Sequence, residues 1–138
     1  MTRILLAVND SPAGLAAART AIRLARETAG LVRAVFAVAP STGAVLVDGR
    51  SRAANAVLDY VADLAEQAGV AVETATVPGA PARVILDQAA AWPADVIVLG
   101  RSGVRHVGQP FVGSQVLHVI EFAEVPVVVV PAAARISP

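Results

Sequence analysis

The sequence predicts an α/β fold: five parallel strands in one doubly wound sheet, with helices on both faces making three layers. Three observations carry that reading. Short apolar blocks rich in valine and isoleucine recur at Ile4–Val8, Val35–Ala39, Val96–Leu99 and Val127–Val130, as strands buried on both faces require. Between them lie segments whose apolar residues recur at three and four positions, the period of an amphipathic helix. Glycine, proline and serine mark the junctions, so strand and helix alternate along a chain that reads as one domain, 1–138.

The first strand is expected at about Arg3–Asn9. Ser11 follows as an N-cap and Pro12 as the first helical residue, with Leu15, Ala18, Ile22, Ala25 and Ala29 as the buried stripe of a helix stopping near Gly30. Strand two is expected at Leu31–Ala39. Pro40–Arg50, with Gly43 and Gly49, reads as a loop before a second helix over Ser51–Ala68 that Gly69 stops. Strand three is Val70–Val77, and Pro78-Gly-Ala-Pro81 turns the chain into a third helix ending before Trp92-Pro93. Strand four is Asp95–Leu99, a glycine-bearing loop fills Gly100–Val112, and a fourth helix covers Gly113–Phe122. Val127–Val130, between Pro126 and Pro131, is the last strand.

Composition removes whole classes of chemistry. The 138 residues carry no cysteine, which excludes disulfides, thiolate nucleophiles and cysteine zinc sites. All eleven basic residues are arginine, so a Gly-Lys-Ser/Thr phosphate loop, a Schiff base and a Ser-Lys dyad are excluded too. His106 and His118 stand twelve apart and form no metal-ligand spacing; no metal site is expected. Net charge is zero and the pI near 6.7, which argues against a nucleic-acid partner. Although 56% of residues are hydrophobic, no apolar run approaches the roughly 18 residues of a bilayer span, and the first block runs straight into Asn9-Asp10. A soluble, cytoplasmic protein is expected, and its Ala, Val and Arg usage suggests a GC-rich bacterial genome.

Most informative is the spacing G-x2-G-x9-G-S, set by Gly100, Gly103, Gly113 and Ser114 after a buried strand. Glycines allow a backbone to approach an anion closely, and the start of the next helix offers unpaired N–H groups and positive dipole charge. With strand order 3-2-1-4-5, Asn9 and Gly100 face one crevice where the order reverses, the usual place for a ligand in such a sheet. The remaining polar residues read as structural. Asp59, Asp63 and Glu66 form a solvated helix face, His118 is a helix residue, and Trp92 packs at a helix end.

Together with Ile4-Leu-Leu-Ala-Val-Asn-Asp-Ser-Pro12, that spacing resembles the universal stress protein family over essentially the whole chain. Members that bind ATP carry G-2x-G-9x-G-Ser/Thr, met here in full. The resemblance implies a Rossmann-like fold of the adenine-nucleotide-hydrolase type and a nucleotide-binding stress or signalling protein. ATP is the implied ligand, AMP and cyclic AMP are alternatives, and Mg2+ would arrive only with ATP. By the same resemblance Gly100, Ser102 and Gly103 line ribose and phosphates, while Gly113, Ser114 and Gln115 hold the phosphates. Leu99 abuts the ligand, Val38 meets adenine through its backbone, and Ala7, Val8 and Asn9 form the base and ribose side. Arg101 and Arg105 are candidate phosphate partners.

The resemblance also implies a homodimer through the last strand, Pro126, Val127, Val128, Val129 and Val130, and a protein partner of unknown identity. An apolar edge strand supports the first of these, because exposed edges are normally paired or covered. Two departures stand out. The family's Val-Asp-Gly-Ser is Val8-Asn9-Asp10-Ser11 here, and Val104-Arg-His-Val-Gly-Gln-Pro110 follows the second glycine. Asn9 keeps an acceptor, loses a charge and gains donors, which leaves weakened ATP binding, unchanged binding and a preference for cyclic AMP all open. A dimeric interaction module without nucleotide and a slow ATPase are the competing readings. The ATPase has only Asp10, Ser11, Ser114 and His106 to draw on, so no catalytic residue is assigned.

Overall fold

The structure, a computed structural model, describes residues 1–38, 44–101 and 113–132, with the side chains of 44–51 left out. Five strands alternate with four helices: β1 Arg3–Ala7, α1 Pro12–Thr28, β2 Leu31–Val38, α2 Ala44–Ala68, β3 Val72–Pro78, α3 Pro81–Ala91, β4 Val96–Gly100, α4 Ser114–Phe122 and β5 Val127–Val130. All four strand pairings are parallel, and the order is β3-β2-β1-β4-β5. That is the expected sheet, with its reversal between β1 and β4. Among the described residues no helix is long and apolar enough to cross a membrane.

The period of two along each strand divides the core in half. Ile4, Leu6 and Val8 of the first strand segment join Val32, Ala34, Phe36, Val98 and Val130 against α1 and α2. Leu5, Val35, Ile97 and Leu99 face the other way, against Ala82, Ile85, Val116 and Val119 of α3 and α4. The buried face of α1 is almost all alanine: Ala13, Ala16, Ala17, Ala18, Ala21 and Ala25, with Ile22. Small side chains bring that helix close to β1 and β4. Gly100 shows how close, since a Cβ there would lie 2.6 Å from the carbonyl carbon of Ala13.

Helix ends follow local chemistry. Ser11 Oγ accepts from Gly14 N–H at 3.0 Å, and Pro12 occupies the first turn. The left-handed residue after α1 is Ala29 (φ 52°), not Gly30, and Ala29 is exposed instead of completing the stripe. Gly30 answers a different demand, because a Cβ there would come within 2.9 Å of the Thr2 carbonyl oxygen. Gly69, at φ +69°, stops α2 as expected.

One boundary differs clearly. Helix α2 starts at Ala44, so 44–50 is helical where a loop over Pro40–Arg50 was expected. Gly49 is the reason for the discrepancy. An interior glycine costs a helix only about 1 kcal/mol relative to alanine, too little to end one that continues on both sides.

Candidate functional site

A crevice of about 340 Å3 opens beyond the carboxyl ends of β1 and β4, on the α3 and α4 side of the sheet. Its wall includes Ala7, Val8 and Asn9 after β1, Leu99 and Gly100 of β4, and Gly113, Ser114 and Gln115 at the start of α4. Eight of the residues that the resemblance assigns to the ligand therefore meet in one place. Val35 and Ala37 of β2, Pro81 and Ile85 of α3, and Val116 complete it. Parity explains the strand residues, since Ala7 and Asn9 share a face with Val35, Ala37 and Leu99. The side chain of Val8 belongs to the opposite half of the core, and its N–H donates to the Val35 carbonyl at 3.0 Å.

Each end of the crevice has its own chemistry. The floor is aliphatic, and none of the lining side chains among the described residues is ionisable. At the α4 end, Gly113 occupies the N-cap position in extended conformation and supplies no side-chain bond. The N–H groups of Ser114, Gln115 and Val116 find no acceptor among the described residues, the first hydrogen bond of the helix being Leu117 N–H to the Gly113 carbonyl at 3.0 Å. Orphan donors of this kind, with the helix dipole behind them, attract an anion.

Gln115 has a structural task as well. Its Oε1 accepts from Ala82 N–H at 2.9 Å, satisfying a donor at the start of α3 whose own cap residue, Ala80, supplies none. That bond ties the α3 and α4 termini together. Gly100 borders the crevice, but its missing Cβ makes room for α1. Arg101 lies just outside, its N–H on the Val130 carbonyl at 2.7 Å and its carbonyl accepting from Gly113 N–H at 3.1 Å. These bonds lead the chain from β4 past β5 and back to α4.

At the opposite side, Val38 packs against the α2 half of the core and its carbonyl accepts from Gly79 N–H at 2.9 Å. Ala37, one residue earlier, borders the crevice instead. In a parallel strand successive residues turn their backbone groups to opposite neighbours, so Ala37 directs its peptide groups toward the end of β1. Ser102, Gly103, Arg105 and His106 lie outside the described residues.

Asn9 sits in the turn between β1 and α1. Its Oδ1 accepts from Ser11 N–H at 3.0 Å and from the Ser11 hydroxyl at 2.5 Å. Gly14 makes this possible, since a Cβ there would overlap that oxygen and come within 2.7 Å of the Asn9 carbonyl. Nothing in the spacing marked Gly14 or the α3 residues as part of the site. The available clue was Gly14 itself, a glycine in the first turn of a helix where propensity disfavours it.

The universal stress protein family model matches residues 1–131. Universal stress protein MJ0531 of Methanocaldococcus jannaschii is 30% identical over 137 residues, covering 93% of this chain and 81% of that protein. Among solved structures, universal stress protein UspA from Lactobacillus plantarum superposes with a TM-score of 0.79 at 27% identity, over 94% of this chain and 97% of that one. A universal stress protein in complex with cAMP gives a TM-score of 0.76 at 21% identity, over 94% and 96% of the two chains. The Archaeoglobus fulgidus universal stress protein in complex with dAMP gives 0.75 at 24%, over 94% and 98%.

Proposed function

The chain belongs to the universal stress protein family, and from that premise we propose that its crevice binds an adenine nucleotide, ATP or a monophosphate such as AMP or cyclic AMP. The observation that carries this reading is the start of α4, three N–H groups without an acceptor among the described residues at a crevice with an aliphatic floor. Phosphate suits the first and a purine ring the second. A volume of about 340 Å3 falls within the range of small-molecule sites, roughly 300–1,000 Å3. Two relatives of the same fold were solved with cAMP and dAMP, which supports an adenine ligand. Mg2+ would enter only with ATP, because the described lining residues offer no carboxylate. Ligand occupancy, not turnover, is the proposed signal.

A homodimer through β5 is part of the same proposal. The two sheet edges differ in kind. β3 exposes Glu73, Thr74 and Thr76, whereas β5 is four valines and Val128 is 36% exposed. Beside it, α4 exposes Leu117, Ile120 and Phe122. An apolar edge next to an apolar helix face favours pairing with a second copy.

Native mass spectrometry of freshly purified protein, followed by titrations with ATP, AMP and cyclic AMP, tests both parts. A dimer that retains or binds one of these nucleotides is the expected result. A dimer that binds none of them moves the protein to the interaction-module reading, and a monomer removes the β5 pairing.

A further inference from the structure

Helix α3 reaches the crevice without a cap of its own. Ala80 makes no side-chain bond at the N-cap, and Pro81 has no N–H to satisfy. Arg83 is exposed to water, and Val84 N–H is taken by the Ala80 carbonyl at 3.0 Å. That leaves Ala82, a residue only 3% exposed, whose N–H donates to Gln115 Oε1 at 2.9 Å. Without that acceptor a buried donor is stranded, at a cost larger than the bond itself contributes. Among the described residues it is the one hydrogen bond that joins α3 to α4.

The rest of the junction is apolar, with Ala82, Val84 and Ile85 sharing one core cluster with Val116 and Val119. Apolar contact has no direction, so the bond is what fixes the first turn of α3 against α4. Pro81 and Ile85, on either side of Ala82, line the crevice, while Ser114, Gln115 and Val116 carry the open N–H groups. A ligand that fills the crevice from those donors inward meets Pro81 and Ile85 as its wall. We propose that Gln115 is a positioning residue: through Ala82 it holds the α3 wall where one nucleotide can touch both that wall and the α4 donors. Its side chain thereby acts on the nucleoside part of the ligand, although its backbone stands among the phosphate donors. This rests on reading the crevice as a nucleotide site and gives the side chain a role apart from phosphate contact.

Adenosine separates the two ends of the site, because it carries no phosphate. The tightest-binding of AMP, ATP and cyclic AMP is titrated calorimetrically into the wild type, Gln115→Ala and Gln115→Glu, and adenosine is measured by competition against it. Gln115→Ala is expected to weaken nucleotide and adenosine by the same factor, on the order of fivefold, the scale of one hydrogen bond. Gln115→Glu keeps an acceptor for Ala82 N–H, so adenosine affinity should return to that of the wild type. The nucleotide should stay weak in that variant, since the new carboxylate repels its phosphate. Adenosine affinity that Gln115→Ala leaves unchanged, or that Gln115→Glu does not restore, overturns the positioning role. So does adenosine that fails to compete in the wild type, because the α3 wall then contributes nothing. A wild type that binds none of the three nucleotides overturns the nucleotide reading and the inference with it. Ligand-free melting curves establish that each variant is folded at the titration temperature.

Discussion

Of the helices that begin around the crevice, α1 and α4 treat their free N–H groups in opposite ways. At α1, Ser11 Oγ takes the Gly14 N–H, Ser11 N–H and hydroxyl close onto Asn9, and Gly14 makes room for that oxygen. At α4, Gly113 holds the cap position without a side chain, and three donors at the crevice have no acceptor among the described residues. One terminus is closed by its own side-chain cap. The other is open among the described residues, and in the proposed reading an anion completes it. Where a protein declines to cap a helix, a ligand site is the physical alternative to the desolvation cost of bare donors.

Three substitutions break or sharpen that contrast. Gly14→Ala acts most strongly. In an ordinary helix this change gains about 1 kcal/mol, but here the new methyl meets backbone atoms of Asn9 that cannot move aside. Overpacking of this kind costs about 2–3 kcal/mol and wins, so chemical denaturation should show a net loss of stability. A stability gain would mean that the turn is free to open.

Gly113→Asp converts the second terminus into the first. Its extended backbone accepts an aspartate without strain, and a capping carboxylate should add about 1 kcal/mol of stability. Nucleotide affinity should fall by about tenfold or more as the new carboxylate occupies the donors and repels phosphate. Calorimetry and thermal melting on one sample read the opposing signs, and a gain in stability with unchanged affinity would place the anion elsewhere. Ser11→Ala is the smallest change. Removal of the cap should cost about 1 kcal/mol in denaturation with nucleotide affinity altered less than by Gly113→Asp.

Much of this protein was determined along the chain. Blocks such as Ile4–Val8 and Val96–Leu99 are short and uniformly apolar, as buried parallel strands are, so the element order was legible along the chain, while the strand order 3-2-1-4-5 was an expectation that the pairings bear out. Ser11-Pro12, Gly69 and Pro81 punctuate helices through backbone conformation and capping, which are local properties. The glycine spacing likewise pointed to the crevice, and Gly100, Gly113, Ser114 and Gln115 all border it.

What the tertiary structure alone decided is the reason behind individual residues. Gly100 reads as an opening for phosphate, yet its bare Cα is demanded by Ala13 of a helix almost ninety positions earlier. Gln115 reads as a phosphate contact and also caps α3 through Ala82. Ala37 rather than Val38 borders the crevice, and Pro81 and Ile85 join it from a helix that no motif marks. Gly49 reads as a break inside what is a continuous α2. Local rules see the neighbours of a residue along the chain, whereas close approach and hydrogen-bond partnership depend on distances across the fold. A spacing pattern encodes which residues recur, and only packing assigns what each of them touches.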